Sequence, residues 1–448
     1  MSRMLALTLF FLVGTCQAAT PAHRHVVVIT IDGLPSYLLD DPQASLPVIR
    51  ELMATGVVSK AGMRVSNPSV TWPNHTTLMT GVHPERHGVL FNGVIERQGK
   101  GMPVRVAPGK SQDELTRTHL LFDFLKEAGQ SSAAINWPCT RGSTSLDDNF
   151  PDVPDALRYT TPRLKEELTE KGLLQRFEGG GGVVRDEVWT EAACHVIQER
   201  KPRLLALHLL NLDSTHHRYG PKSHPGYTAA ALTDALVGRV LKTLDDSGIR
   251  ERTAVFVVAD HGFSAVRKTL LPNAVLRQEG LIKLRAGQIG SARVIVIPEG
   301  GIGMVFLTDP ETAESDRESV RRLFRSAEGI AAVLEPGDFS RYHLPLPGEN
   351  QGMPDMILAA KDGYAIGASA TGDEFVVTNE STTGSHGYLS TEPKMNALFV
   401  ASGAGIKAGQ RLDQVDNIDV APTVARLLDV PLNGASGRVL SEILIDGD

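Results

Sequence analysis

The sequence predicts an α/β fold: a doubly wound, mostly parallel sheet with helices on both faces. Three observations carry that prediction. Unbroken apolar runs occur at residues 25–31, 204–210 and 253–259, and strands buried on both faces read in this way. Segments with helical spacing alternate with them, as crossover connections between parallel strands require. Acidic residues follow the runs: Asp32 after the first, Asp213 a short step after the second, Asp260 after the third. Ligand sites of open parallel sheets gather at such carboxyl ends.

Taken in order, residues 1–14 carry one early cation, Arg3, and an apolar stretch of signal-peptide length, with cleavage expected after Ala18 or Ala19. The stretch is short for a membrane span and no later segment approaches about 20 apolar residues. This predicts export, to a periplasmic or secreted location, with no transmembrane segment in the mature chain. Cys16 sits in a poor match to a lipoprotein motif. Helical spacing covers 46–55 ahead of Gly56, and a further helix runs over 75–80 before Gly81. Residues 120–128 and 132–136 read as a helix and a strand, 187–199 as a helix before the strand at 204, and 229–244 as a helix before the strand at 253. A strand at 397–401 and a helix at 420–428 bring the end of the chain into the same domain.

Two stretches break the rhythm. Residues 151–182 are charged, turn-rich and end in four glycines, which reads as a mobile surface excursion. They lack the lysine and hydroxyl of a phosphate-binding P-loop. Residues 264–383 alternate strands with a helix at 315–326 and read as a small inserted α+β lobe. The expected organisation is a signal peptide at 1–19, a catalytic domain at 20–263 and 384–448, and a cap lobe at 264–383.

With 42% hydrophobic and 22% charged residues among 448, the chain is ordinary globular material. The net charge of −7 and the lack of an extended basic run exclude a protein that grips duplex nucleic acid by its phosphates. Two cysteines beyond Cys16, Cys139 and Cys194, could pair or remain buried thiols.

Asp32, Asp213, His217, Asp260, His261 and His386 form a set of oxygen and imidazole donors suited to borderline divalent metals such as zinc, manganese or iron. A catalytic zinc takes about three protein ligands and keeps a position open. Six ligands therefore fit two metals, which clamp the attacking and leaving oxygens of an in-line displacement and lower the pKa of a bound hydroxyl. Thr71 supplies that hydroxyl, in a turn restricted by Pro68 and Pro73 that opens a helix, where backbone N–H groups favour a phosphate. Capping rules alone give equal weight to Thr71 as a plain helix cap. His75 and His87 read as supports for neighbouring groups. His216 competes with its neighbour His217, and the four-residue step from Asp213 favours His217.

The motifs IDG at 31–33, TWPNH at 71–75, TGVHPERHGVLFN at 80–92, DSTHHRYGP at 213–221, ADHG at 259–262 and GSHG at 384–387 together resemble the nucleotide pyrophosphatase/phosphodiesterase family, a branch of the alkaline phosphatase superfamily. The resemblance implies an alkaline-phosphatase-like fold with two metal ions, most commonly zinc. Asp213, His217 and His386 would hold one, and Asp32, Asp260 and His261 the other. Thr71 would bridge them, attack phosphorus and form a covalent phospho-threonine intermediate that water hydrolyses. Asn92 would donate to a phosphoryl oxygen, although turn preferences alone make it a turn residue beside Gly93.

Trp72, where the family usually has phenylalanine, and Tyr219 would sandwich a nucleobase, with stacking worth roughly 1–3 kcal/mol per base; core packing is the plainer role for both. The resemblance thus implies an exported hydrolase that cleaves nucleotide phosphodiester or pyrophosphate bonds and releases a nucleoside monophosphate. A phosphomonoesterase, phosphonate hydrolase or lipid-headgroup phosphohydrolase on the same metal core is the alternative, with Arg86 or Arg218 as the extra cation a monoester needs. A binding module with purely structural metals is disfavoured by the intact Thr71 and by open coordination.

Overall fold

The computed structural model describes residues 24–152 and 154–445; the expected signal peptide and Cys16 lie outside them. Eight strands form the main sheet: β1 (His25–Ile31), β2 (Val57–Ser59), β3 (Ser132–Ile135), β4 (Asp148–Phe150), β5 (Leu204–Leu209), β6 (Thr253–Val258), β7 (Phe399–Gly403) and β8 (Gln410–Leu412), in the order β8-β2-β7-β6-β1-β5-β3-β4. The first run, β1, lies between the other two, parallel to both, with Val26 opposite Leu204 on one side and Ala254 on the other. Every residue of β1, β5 and β6 is buried, which is why their sequences do not alternate. β7 runs antiparallel to β6 and β2, so the sheet is mostly parallel, as expected.

Helices α1 (Pro47–Thr55), α2 (Thr71–Thr80), α3 (Leu121–Glu127), α4 (Gly182–Arg200), α5 (Asn211–Tyr219), α6 (His224–Asp246) and α7 (Val420–Leu428) surround the sheet. α4 packs on β5 and on α6, and α6 on α1; a second group joins α7 to β1 and α2, and α2 to α3. α2 starts four residues earlier than the sequence suggests, because Pro73 falls in its first turn, where a missing N–H costs little. It is buried on nearly every side despite its threonines. The hydroxyls of Thr76, Thr77 and Thr80 donate back to the carbonyls of Trp72, Pro73 and Thr76 at 2.9, 3.0 and 2.8 Å, which removes the cost of burying them. α6 likewise starts early, at His224, where Ser223 Oγ accepts from Gly226 N at 3.1 Å.

Residues 151–182 depart from the expected excursion. They hold helices at Pro162–Glu170 and Leu173–Gly179, which bury Leu164, Leu168, Leu173, Leu174 and Phe177. Two of the four glycines allow close approach: a Cβ on Gly180 would lie 2.7 Å from the Arg176 carbonyl, and one on Gly182 2.7 Å from Asn211 Oδ1.

Between His261 and His386 the chain forms an antiparallel four-stranded sheet of Val294–Glu299, Ile302–Leu307, Met356–Ala360 and Ile330–Leu334, with a helix at Ala313–Phe324. It joins the main sheet through strands Ser264–Leu270 and Val376–Ser385, which pair antiparallel with Ser264 opposite Ser385. That ladder brings His386 back beside Asp260 and His261 across more than a hundred residues. One hydrophobic cluster runs through both sheets. Among the described residues no helix is long and apolar enough to cross a membrane.

Candidate active site

The carboxyl ends of β1, β5 and β6 deliver the expected residues to one place. Asp32 and Asp260 are fully buried, one and two positions beyond their strands, and Asp213 is the third residue of α5, which follows β5 almost directly. Asp32 Oδ1 lies 3.3 Å and Asp260 Oδ2 3.4 Å from His261 Nε2. Asp213 Oδ1 lies 3.3 Å from His217 Nε2 and 3.5 Å from His386 Nε2. The other ring nitrogens face backbone carbonyls: His217 Nδ1 and Gly384 O at 3.2 Å, His261 Nδ1 and Gly262 O at 3.1 Å, His386 Nδ1 and Ser69 O at 3.1 Å. A carbonyl only accepts, so each Nδ1 carries a proton and each Nε2 is the ring atom turned toward the carboxylates.

Both oxygens of Asp32, Asp213 Oδ1, Asp260 Oδ2 and His261 Nε2 are buried without a hydrogen bond. Orphaned buried polar atoms are costly and rare, and here they converge. The donors fall into two compact groups, Asp213 with His261 and His386, and Asp32 with Asp260 and His261, each within 4.8 Å. This hard-oxygen and imidazole set fits divalent cations. The grouping differs from the expected triads in one respect: His261 belongs to both groups and His217 to neither. His261 stacks on His386 at 3.7 Å between ring centroids, which centres it, whereas His217 sits on the outer side of α5 with its side chain 42% exposed. Phe263 underlies all of these imidazoles, with ring centroids 4.9 Å from His217, 5.4 Å from His386 and 6.2 Å from His261.

The charges are mutually perturbed. Burial, reinforced by Asp213, pushes Asp32 up to about 6. Burial opposes the protonation of His261, yet Asp260 and Asp32 outweigh it and raise the group to about 10. Burial would raise Asp213 as well, but the surrounding imidazoles, His217 foremost, hold it well below the usual carboxylate range. His386 is lowered by burial and by His261. Three carboxylates thus compete for protons shared with neighbouring histidines, the condition under which a bound cation and protons exchange for each other.

Thr71 opens α2, but its side chain does not cap the helix. Its Oγ1 accepts from Asn92 Nδ2 at 3.3 Å, and Asn92 Oδ1 accepts from Trp72 N at 2.8 Å. Asn92 therefore caps α2 from outside and points its amide group at Thr71. His75 ties this turn to the donor cluster: its Nδ1 lies 2.9 Å from the Thr71 carbonyl and 3.6 Å from Asp260 Oδ2. His75 and His208 both contact Thr30 Oγ1, at 2.8 and 3.0 Å, and His208 Nε2 lies 3.2 Å from Asp32 Oδ2. Burial lowers His75 to about 3 and His208 to about 4, so both are neutral supports. Sequence reasoning passed over Thr30 and His208, polar members of two otherwise apolar strands that face each other in register across β1 and β5.

A cavity of about 120 Å³ beside Thr71 is lined by Trp72, Asn92, Asn136, Pro138, Asp152, His208 and Leu210. Trp72 is 7% exposed and packs with Val89 and Cys139, and its indole N–H reaches Asp152, whose carboxyl burial raises to about 7 against the pull of Arg141. Tyr219, 42% exposed at the end of α5, lies against the Arg218 guanidinium and does not line this cavity. The two aromatic residues are thus not brought to one pocket. His216 is buried with Nδ1 on the Gly33 carbonyl at 3.2 Å, facing away from the donors that His217 meets. Arg86 donates to Gly434 O and Ser436 Oγ at 2.8 and 2.9 Å. Cys139 and Cys194 are both free.

Known proteins resemble this chain in sequence and in fold. Human ectonucleotide pyrophosphatase/phosphodiesterase family member 1 is 24% identical over 425 residues, which cover 92% of this chain and 41% of that protein, so the chain spans less than half of that relative. The bis(5'-adenosyl)-triphosphatase of Xenopus laevis is 22% identical over 96% of this chain and 85% of its own length. A solved structure of murine ectonucleotide pyrophosphatase/phosphodiesterase 5, an inactive form in complex with AMP, superposes with a TM-score of 0.70 at 18% identity, over 94% of this chain and 100% of that one, which shows the alkaline-phosphatase-like fold. Residues 26–389, from the first residue of β1 after His25 to just past His386, match the family described as type I phosphodiesterase/nucleotide pyrophosphatase. Since that match takes in each of the three strand ends, the Thr71 turn and the returning His386 loop, the chain belongs to the type I phosphodiesterase/nucleotide pyrophosphatase family.

Proposed function

We propose that the protein hydrolyses nucleotide phosphodiester or pyrophosphate bonds to a nucleoside monophosphate through a covalent phospho-threonine on Thr71. The observation that carries this reading is the convergence of buried carboxylate and imidazole atoms without hydrogen bonds, linked through His75 to a threonine that caps nothing. Asp213, His217 and His386 would hold one divalent cation and Asp32, Asp260 and His261 the other, zinc being the best match to these donors. When bound, the pair lowers the pKa of a hydroxyl and offsets phosphoryl charge.

The protein's own groups do the rest. Thr71 Oγ1 attacks phosphorus, forming the Thr71–phosphoryl bond as the bond to the leaving oxygen breaks, and water then cleaves that ester to restore the hydroxyl. Asn92 Nδ2, aimed by the Trp72 N–H on Oδ1, donates to a phosphoryl oxygen as charge develops. Trp72 lines the cavity beside Thr71, and Tyr219 would have to close over a bound base from its exposed position. Nucleotides are supported by the names of the relatives and by the AMP bound to the murine protein. The apolar amino-terminal stretch supports export.

Hydrolysis rates over ATP, a cyclic dinucleotide, a nitrophenyl diester, a nitrophenyl monoester and a choline phosphate ester test the reading. Nucleotide diesters or pyrophosphates should rank first; a preference for the monoester or for choline phosphate would overturn it. Thr71→Ala should lower kcat by at least ~10³-fold with zinc content still near two per chain, and near-normal turnover would remove Thr71 as nucleophile.

A further inference from the structure

α5 carries Asp213 and His217, yet nothing at its own start holds it: its amino-terminal cap position is Leu210, which has no capping side chain. The cap comes from another helix. Asp186, on the second turn of α4 and 2% exposed, accepts from Leu210 N at 2.9 Å through Oδ1 and from Asn211 N at 3.0 Å through Oδ2. α4 and α5 pack directly, and the missing side chain of Gly182 lets the first turn of α4 reach Asn211. Two of the orphan N–H groups of α5 are thereby satisfied by the two oxygens of one buried carboxyl. Asp213 is two residues beyond Asn211, and His217 stands one turn further on, 3.3 Å from it.

We infer that Asp186 is a positioning residue for one half of the metal site: by clamping the first turn of α5 it fixes where Asp213 and His217 project. This rests on the reading that Asp213 and His217 hold a cation. The molecule contains its own control. Asp234 on α6 caps α1 in the same way, accepting from Val48 N at 3.0 Å and Ile49 N at 2.9 Å, and α1 carries none of the site residues.

The test compares wild type with Asp186→Ala, Asp186→Asn, Asp234→Ala and Asp213→Ala. Each protein is equilibrated against buffered free zinc; zinc per chain is read by atomic emission and affinity by chelator competition, alongside Tm. Wild type should hold about two zinc ions and Asp213→Ala about one. Asp186→Ala should bind its weaker ion at least about tenfold less tightly, the effect typical of losing a group that supports a metal ligand. Asp186→Asn, which keeps one acceptor oxygen, should fall between them and carries the test if the alanine variant does not fold. Asp234→Ala should lose Tm and keep wild-type zinc affinity. Wild-type zinc affinity in both Asp186 variants, or an equal loss in Asp234→Ala, would overturn the inference. Unchanged zinc in Asp213→Ala would instead overturn the metal reading beneath it.

Discussion

Asn92 shows how much depends on the orientation of one amide group. Its oxygen is spent on Trp72 N, so its nitrogen faces Thr71 Oγ1. Asn92→Ala should lower kcat/KM by about 10²–10³-fold, the usual cost of one oxyanion donor. Asn92→Asp, which keeps the cap but puts an acceptor where a donor belongs, should recover none of it in steady-state assays. Asp32 is a second case. Burial and Asp213 push it up to about 6 against the pull of His261 and His217. In zinc-loaded protein Asp32→Asn should lower both Tm and zinc content by removing a ligand, while in chelated protein it should change Tm less; an equal fall in both forms would contradict the site's metal logic.

Asp152 makes a prediction about pH. Burial raises it to about 7 from an ordinary value of 3.8, so the native state binds a proton that the unfolded chain has lost across this window. For a raised carboxyl the sign is opposite to that of a salt-bridged one: its contribution falls as pH rises from about 4 to about 7, by at most about 1.4 kcal/mol per unit. Asp152→Asn, which can still accept from the Trp72 indole, should therefore gain stability relative to wild type over that range. Urea denaturation at pH 4.5, 6 and 7.5 reads the difference directly.

At the scale of elements, close approach to Phe263 sets the tolerances. A Cβ on Gly33 would lie 2.8 Å from the Phe263 ring, and one on Gly384 2.9 Å from that ring and 2.4 Å from the His216 carbonyl. Gly33 also has φ +66°, which L side chains rarely adopt. Gly384→Ala should lower Tm by several degrees and weaken zinc binding, because the strand that carries it leads straight into His386. Elements with a strong periodic signal were legible: the three central strands, and α7 to the residue. Residues 151–182 were not, because short helices that bury only one narrow face between glycines resemble a polar loop in sequence.

For the whole molecule, the site lies where strands from separate parts of the chain end together, so cations held by these donors would cross-link β1, α5, β6 and the returning His386 loop. Chelation should lower Tm reversibly, and at a free zinc concentration about 100-fold above Kd each ion should add about 2.7 kcal/mol of stability. A Tm indifferent to chelator and zinc would show that these donors bind no cation.

The sequence by itself determined the parallel sheet and the placing of Asp32, Asp213, Asp260 and His261 at one edge of it, because apolar runs define buried strands and the residues just after them stand at the sheet's carboxyl edge; Thr71 and His386 were legible only through the motifs that hold them. Only the tertiary structure decided how those residues are shared. It centred His261 between the two groups, left His217 half-exposed, buried Trp72 away from Tyr219, and recruited Asp186, Thr30 and His208 as supports. Each of these depends on which side chains meet across strands and helices distant in sequence, and a local pattern carries no record of such meetings.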